Sequence, residues 1–311
     1  MIKALKYAFH PPGRIAIGCE QLGGVDWGKY DLCDVKKTIQ EAYDLGITTF
    51  DTADVYGLGR SETELSLSLD RNRHKAFIIT KFGLRWSNNQ KNQRSIIARD
   101  SSRSYVKKAL ENSLKRLRID AIPLYLVHWP DPNTSFLDLI TTMDGFVKEG
   151  KILNYGLSNF SPEYIDLIAK DSNVSSIQDS FNLLDFRTQL PRFEIAKKYS
   201  LHAFSYGPLS QGLLTGKFSP KTRFLNEDRR SRLSKFKESE WETNNKILSR
   251  LSKISAKYSR NFSEVAIRWI IDYGLIDTVI VGAKNLSQLH QNISCLDWKL
   301  SLSDLNYLNS D

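Results

Sequence analysis

The chain has 311 residues and a formal net charge of +9, from 44 basic and 35 acidic side chains. Hydrophobic residues make up 41% of the sequence and charged residues 25%, which excludes a disordered, collagen-like or disulfide-stapled chain. The length suffices for one large α/β barrel or for two ordinary domains. Although the positive charge is compatible with a polyanionic partner, no basic motif with interleaved aromatic residues accompanies it, so we expect no nucleic-acid partner.

Three cysteines, Cys19, Cys33 and Cys295, are an odd number without metal-ligand spacing. Their number favours a reducing compartment and argues against a structural zinc site. No apolar run of about 18 residues occurs, so no membrane span is expected. The first ten residues lack the apolar core and cleavage site of a secretory signal. We therefore expect a cytoplasmic protein without a metal ion that acts on a small molecule.

Short apolar segments alternate with amphipathic helical segments from one end of the chain to the other. The apolar segments are rich in Ile, Val and aromatic residues and lack strict alternation, which is typical of parallel strands buried on both faces. Helical stripes of apolar residues run from Val106 to Leu117 and from Phe136 to Val147. Eight strands are predicted, at Arg14–Gly18, Thr48–Asp51, Phe77–Lys81, Ile122–His128, Leu153–Leu157, Ser176–Gln178, His202–Tyr206 and Thr278–Val281.

Eight strand–helix units without a linker or a composition break predict a single-domain (β/α)8 TIM barrel over residues 1–311. The alternative is an open doubly wound sheet, which usually carries a G-x-G-x-x-G loop after an early strand. Gly23-Gly24 and Gly57-Leu58-Gly59 are too short to match that loop. The barrel is therefore favoured, and a bound nucleotide would have to be held in another way.

In a barrel, functional side chains lie where the strands end. Asp51 ends the second predicted strand and opens the stretch DTADVYG, which adds the phenol of Tyr56. Lys81 and His128 end the next two strands. Because a cation favours a phenolate, we expect Lys81, held by Asp51, to lower the pKa of Tyr56 and make it a general acid near neutral pH. Further polar residues at strand ends are Ser158, Asn159, Gln178 and Tyr206.

Each of these side chains, taken alone, also has an ordinary structural explanation. A strand-end aspartate often caps a helix, a lysine is usually a solvated surface amine, and a lone histidine is often a hydrogen-bonded core residue. Their joint occurrence at neighbouring strand ends favours the functional interpretation.

The segments that carry these residues resemble the aldo/keto reductases. The similarity is strongest in four stretches: GITTFDTADVYG from Gly46, TKFG from Thr80, LENSLKRLRIDAIPLYLVHWPD from Leu110 and GLSNF from Gly156. Members of that family are (β/α)8-barrel, NAD(P)H-dependent carbonyl reductases with an Asp, Tyr, Lys, His tetrad. The resemblance places the tetrad at Asp51, Tyr56, Lys81 and His128. It implies reversible reduction of an aldehyde or ketone, with Tyr56 as the general acid.

The resemblance also implies a site for a nicotinamide cofactor. Ser158, Asn159 and Gln178 match residues that bind the carboxamide, and Tyr206 matches the aromatic residue that stacks on the nicotinamide. Lys284 stands where many NADP-using relatives have arginine, and a lysine meets a 2′-phosphate as a point charge. NADP is therefore implied in preference to NAD. The remaining cofactor residues implied in this way are Leu209, Gln211, Gly282, Gln288 and Asn292.

Three further features complete the sequence analysis: two tryptophans near strand ends, one basic segment and one departure from the family pattern. Trp27 and Trp129 adjoin strand ends and are candidates for the substrate pocket, with simple packing as the alternative. The basic segment 217–238 resembles a segment that closes over the cofactor, and we expect dinucleotide binding to order it; the alternative is a disordered surface loop. Pro123 replaces an aspartate that the family often has, so a local structural adjustment is expected there.

Two other functions on the same barrel remain open at this point. The first is a non-catalytic regulatory protein that senses nicotinamide nucleotides. The second is a lyase or aldolase in which Lys81 is a Schiff-base nucleophile. The tetrad disfavours the first alternative, and the implied cofactor residues disfavour the second.

Overall fold

The computed structural model describes residues 13–86 and 97–310. Its strands are β1 (Ile15–Gly18), β2 (Thr49–Asp51), β3 (Phe77–Phe82), β4 (Leu84–Trp86), β5 (Ile97–Arg99), β6 (Leu124–Val127), β7 (Tyr155–Ser158), β8 (Ser176–Ser180), β9 (His202–Tyr206) and β10 (Thr278–Gly282). Its helices are α1 (Leu32–Asp44), α2 (Arg60–Leu69), α3 (Arg103–Leu117), α4 (Phe136–Lys148), α5 (Pro162–Asp171), α6 (Phe186–Lys198), α7 (Trp241–Tyr258), α8 (Phe262–Tyr273), α9 (Leu286–Ile293) and α10 (Leu302–Asn309).

Eight of these strands close into a parallel barrel in the order β1-β10-β9-β8-β7-β6-β3-β2. Closure places β1 between β2 and β10. Gly18 is in register with both Asp51 and Gly282. The predicted (β/α)8 barrel is thus confirmed, and the open doubly wound sheet is excluded. All eight carboxyl ends of the strands face one rim of the barrel, which is where the candidate side chains were predicted.

Two apolar clusters hold the barrel together. A small one fills the barrel interior and includes Ala16, Ile79, Leu126, Phe204 and Ile280, contributed by separate strands. The large one packs the outer faces of the strands against the helices. The predicted apolar stripe of α3 lies in this layer, where Val106, Leu110 and Leu117 are fully buried. Burial of apolar surface stabilises the folded state by about 25 cal/mol per Å². The apolar stripes of the helices therefore serve the stability of the fold.

The structure differs from the sequence prediction at several strand ends and in one connection. β7 begins at Tyr155 and not at Leu153, and β8 continues to Ser180. β6 begins at Leu124, two residues later than predicted, because Pro123 has no backbone N–H to donate to a neighbouring strand. The connection after β3 contains an antiparallel pair, β4 and β5, with Leu84 opposite Arg99. Residues 87–96 of that predicted connection lie outside the described residues. Among the described helices, none is long and apolar enough to cross a membrane.

Candidate active site

Asp51 and Lys81 form a buried ion pair where β2 and β3 end. The Lys81 Nζ lies 2.7 and 2.8 Å from the two carboxylate oxygens of Asp51 and 2.8 Å from the carbonyl oxygen of Thr52. Three oxygen acceptors match the three N–H donors of an ammonium group. The Lys81 side chain is only 1% exposed. This geometry disfavours the Schiff-base alternative, because every position on the nitrogen is occupied by a hydrogen bond.

Tyr56 and His128 lie beside this ion pair. The Lys81 Nζ is 5.3 Å from the centre of the Tyr56 ring. The ring centres of Tyr56 and His128 are 5.8 Å apart in an edge-to-face arrangement. The structure therefore brings together all four residues of the predicted tetrad.

A tight backbone contact fixes the turn that presents Tyr56. The next residue, Gly57, has a φ of +59°, and a Cβ atom there would lie 2.2 Å from the carbonyl oxygen of Gly23. Only glycine fits this approach, since any side chain would collide with the backbone of the β1 loop. The turn after β2 is thereby held against the loop after β1.

The protonation state of Tyr56 differs from the sequence prediction. Burial, followed by the negative charges of Glu20 and Asp51, raises the pKa of Tyr56 well above its ordinary value, and Arg229 opposes this only in part. The predicted lowering of this pKa by Lys81 is wrong, because burial of the phenol outweighs the effect of nearby positive charge. Burial and the charge of Lys81 lower the pKa of His128 well below its ordinary value. At neutral pH the phenol is protonated and the imidazole is neutral.

A set of amide side chains is hydrogen-bonded to the tetrad. The Gln178 Nε2 donates to the Asp51 Oδ2 at 2.7 Å. The Asn159 Nδ2 donates to the backbone carbonyl of His128 at 2.9 Å and to the Ser158 Oγ at 3.0 Å. The Tyr206 hydroxyl donates to the Asn159 Oδ1 at 2.8 Å. The residues predicted to bind the carboxamide therefore lie against the tetrad and are positioned by it.

Lys284 marks the part of the site predicted to bind the adenosine phosphate. Its Nζ donates to the backbone carbonyl of Trp27 at 2.6 Å and lies above the rings of Trp27 and Tyr30. Its backbone N–H donates to the Gln288 Oε1 at 2.9 Å. Burial, followed by the charge of Arg230, lowers the pKa of Lys284. Nearby, the Asn292 Nδ2 donates to the carbonyl of Gly282 at 3.2 Å.

One cavity of about 860 Å³ connects these groups. A volume of this size is typical of small-molecule and cofactor sites. Lys81 does not line the cavity and lies behind Asp51. All the other predicted site residues line it: Trp27, Asp51, Tyr56, His128, Trp129, Ser158, Asn159, Gln178, Tyr206, Leu209, Gln211, Gly282, Lys284, Gln288 and Asn292.

The cavity has features that suit a polar dinucleotide. The side-chain oxygens of Gln21 and Gln211 are buried without a hydrogen-bond partner among the described residues. A Cβ atom at Gly282 would lie 2.4 Å from the Gln21 Nε2, so the Gln21 side chain packs directly on this strand end. Unpaired buried acceptors are costly and are normally satisfied by a ligand or water. The residues present therefore fit a ligand rich in hydrogen-bond donors and acceptors.

The basic segment 217–238 is folded and contacts the loop after β1. Arg229 bonds to Glu20, and its backbone N–H donates to the carbonyl of Asp26 at 3.1 Å. Arg232 donates to the Asp26 Oδ1 at 2.9 Å. The disordered-loop alternative is therefore wrong for this structure, while ordering by a dinucleotide stays a prediction.

Glu20 and Arg229 line the cavity but were not among the predicted site residues. Glu20 lies two residues beyond the end of β1, so the strand-end rule that identified Asp51 also applies to it. Arg229 lies in the segment 217–238 that the sequence analysis singled out, but its partner Glu20 is 209 positions away in the sequence. Only the folded chain places the two side by side.

Comparison with known proteins agrees with this geometry. The profile of the aldo/keto reductase family matches residues 14–310. The chain belongs to the aldo/keto reductase family. The family uses nicotinamide cofactors and comprises oxidoreductases, so the protein is assigned to that class of enzyme.

Similar proteins span the whole barrel. Aldo-keto reductase YhdN of Bacillus subtilis is 33% identical over 300 residues, covering 96% of this chain and 89% of that protein. Aldo-keto reductase yakc [NADP(+)] of Schizosaccharomyces pombe is 28% identical, covering 85% and 78%. The structure of the glycerol dehydrogenase AKR11B4 from Gluconobacter oxydans superimposes with a TM-score of 0.88 at 31% identity, covering 99% and 93%. These matches cover 85–99% of this chain and 78–93% of the proteins compared.

Proposed function

We propose that this aldo/keto reductase uses NADPH to reduce a small aldehyde or ketone to an alcohol, reversibly. The main support is the convergence of Asp51, Tyr56 and His128 at a cavity that also reaches Lys284, with Lys81 bound to Asp51 behind the cavity wall. The neutral imidazole and protonated phenol are the forms that donate hydrogen bonds to a carbonyl oxygen. A cytoplasmic location stays a prediction from the cysteine content.

Each residue of the tetrad has a distinct role in this proposal. Tyr56 donates its proton to the carbonyl oxygen as negative charge develops there. His128 orients that oxygen through a hydrogen bond from its neutral ring. Lys81 supplies fixed positive charge beside Tyr56, and Asp51 holds the ammonium in place. A bound reduced nicotinamide supplies the hydride that the carbonyl carbon accepts.

In the same proposal, the cofactor-binding residues hold the nicotinamide nucleotide in a fixed orientation. Asn159 and Gln178 present amides for a carboxamide group, with Ser158 beside them. Tyr206 supplies an aromatic face, and its hydroxyl is already bound to Asn159 at 2.8 Å. Leu209 and Gln211, which line the cavity, would hold the pyrophosphate, and Gly282, Lys284, Gln288 and Asn292 would hold the adenosine end. Trp129 is assigned to the substrate end, whereas Trp27, whose ring centre lies 5.7 Å from the Lys284 Nζ, belongs with the adenosine end.

Oxidation of NADPH in a single turnover tests the proposed function directly. The purified protein is mixed with one equivalent of NADPH and an excess of 4-nitrobenzaldehyde, and the nicotinamide absorbance is followed. Loss of absorbance with formation of the alcohol is expected. If the protein binds NADPH tightly but no carbonyl compound in a panel oxidises the bound NADPH, the regulatory alternative is favoured instead.

The raised pKa of Tyr56 predicts different pH profiles for the two directions of the reaction. Reduction needs the protonated phenol, which persists below the raised pKa, so its rate should not fall between pH 6 and 9 through loss of this proton. Alcohol oxidation needs the phenolate, so its rate should rise about tenfold per pH unit over the same range. Steady-state rates in both directions check this. An oxidation rate that levels off near pH 7 would show that the pKa is not raised.

Lys284 is predicted to set the preference for NADPH over NADH. A hydrogen bond to a charged group contributes about 1.5–3 kcal/mol, so NADPH should bind at least about tenfold more tightly than NADH. Lys284→Ala should remove most of that difference. Lys284→Arg is the matched control and should retain it, since the positive charge remains. Fluorescence titration gives both dissociation constants, and equal values for the unmodified protein would contradict the assignment.

A further inference from the structure

One arginine of helix α6 lies behind the strand ends that carry the candidate carboxamide residues. We propose that Arg192 is a positioning residue for the nicotinamide end of the cofactor: its guanidinium joins the segment after β7 to β8 and so holds Asn159 and Gln178 in one arrangement. This inference rests on the proposed function and adds a residue that acts through its neighbours. Arg192 is not among the described residues that line the cavity, so it touches neither cofactor nor substrate.

The Nε atom of Arg192 lies between two groups that belong to different strand ends. It donates to the backbone carbonyl of Phe160 at 2.9 Å and lies 3.4 Å from the Asp179 Oδ2. Phe160 directly follows Asn159 in the chain, and Asp179 directly follows Gln178. Each contact of the guanidinium is therefore one residue away from an amide that is proposed to bind the carboxamide.

The two segments also meet each other at this level of the barrel. Ser158 is in register with Gln178, and the backbone N–H of Asn159 donates to the Gln178 carbonyl at 3.3 Å. Asn159 has a φ of +63°, in the left-handed region that is unfavourable for residues other than glycine. Such a conformation persists only where surrounding contacts hold it, and the hydrogen bond from Arg192 to Phe160 is one of these contacts.

The carboxylate partner of Arg192 is buried and has few other ways to be stabilised. The Asp179 side chain is 7% exposed, and its Oδ2 makes no hydrogen bond to the described residues. Burial raises the pKa of Asp179 to about 7, and the charge of Arg192 opposes that rise. Without the guanidinium, Asp179 would have to move or to bind a proton. Either change would occur directly beside Gln178, which bonds to Asp51 at 2.7 Å.

A second ion pair on the same helix provides a comparison. The Lys198 Nζ, also on α6, bonds to the Asp166 Oδ1 of α5 at 2.6 Å, and both side chains are exposed. This pair links two helices at the surface, whereas the contacts of Arg192 reach the strand ends. Removing Lys198 therefore takes a cation from α6 without touching the candidate carboxamide residues.

Arg192→Met tests the proposal, with Lys198→Met as the matched control. At pH 8, where Asp179 is mostly ionised, we expect Arg192→Met to slow single-turnover oxidation of NADPH by 4-nitrobenzaldehyde at least about tenfold, because a small misplacement of the nicotinamide is costly. The affinity for 2′,5′-ADP, which carries the adenosine and the 2′-phosphate but no nicotinamide, should stay within about twofold, since that end of the site is independent. Lys198→Met should change neither quantity.

The double variant Arg192→Met/Asp179→Asn leaves no unpaired charge, so it also serves if Arg192→Met does not fold. Its turnover should stay slow, because the link between the two strand ends is still missing. Recovery of the rate would show that the unpaired carboxylate, and not the lost link, slows the reaction, which overturns the proposal.

Two other results overturn the role of Arg192 while leaving carbonyl reduction intact. One is an unchanged rate in Arg192→Met. The other is a loss of 2′,5′-ADP affinity as large as the loss of rate, since the substitution would then disturb the whole site. Failure of the unmodified protein to oxidise NADPH with any carbonyl compound overturns the proposed function and this inference with it.

Discussion

Replacing Tyr56 with phenylalanine is expected to lower kcat for carbonyl reduction by about 10²–10⁴-fold, the usual contribution of a positioned general acid. The phenylalanine ring keeps the contact with His128 and the position above Lys81, so the cavity should keep its shape. NADPH affinity should therefore stay within about threefold of the original, since only the proton donor is lost. Stopped-flow turnover and fluorescence titration measure the two quantities.

Tyr125→Phe is a matched control for this substitution. The Tyr125 hydroxyl is buried and has no hydrogen-bond partner among the described residues, and the side chain lies outside the cavity. Its removal should leave kcat essentially unchanged. A Tyr56→Phe protein that retains more than about a tenth of the original kcat would remove Tyr56 from its role as general acid.

Lys81→Met is expected to lower the free energy of unfolding by about 3–5 kcal/mol and to abolish turnover. The substitution leaves the buried carboxylate of Asp51, which is 4% exposed, without its cation. An unpaired buried charge costs about this much in other proteins. Denaturant unfolding monitored by tryptophan fluorescence measures the loss of stability.

The double variant Lys81→Met/Asp51→Asn separates stability from chemistry. It removes both charges but keeps an acceptor for the Gln178 amide, which bonds to Asp51 in the structure. Most of the lost stability should return, because no unpaired charge remains, whereas turnover should stay absent. If Lys81→Met alone keeps the original stability, the ion pair contributes nothing to the fold. Recovery of turnover in the double variant would show that the charge of Lys81 is not needed.

The fold and the strand-end positions of the tetrad were predictable from local sequence patterns, whereas the cofactor residues were implied by the resemblance to the aldo/keto reductases. Apolar segments identified the eight barrel strands, and the barrel rule placed Asp51, Lys81 and His128 at one rim. These features need no knowledge of how distant loops pack.

The features that escaped prediction depend on packing between distant segments. The pKa of Tyr56 is governed by burial, which the residue types near it do not reveal. The pairing of Glu20 with Arg229 joins segments 209 positions apart. The hairpin of β4 and β5 is a short addition within a connection that carries no regular apolar pattern. In each case the deciding interaction is set by tertiary structure.

The tetrad and the pair formed by Glu20 and Arg229 are attached to the fold in different ways. Asp51 and Lys81 belong to barrel strands, where any shift disturbs neighbouring strands as well. Arg229 belongs to a connecting segment, and Glu20 lies just beyond a strand. Mutations in the connecting segments can accordingly accumulate without altering the barrel. A substitution in a connecting segment can therefore change what the cavity accepts while the tetrad keeps its geometry.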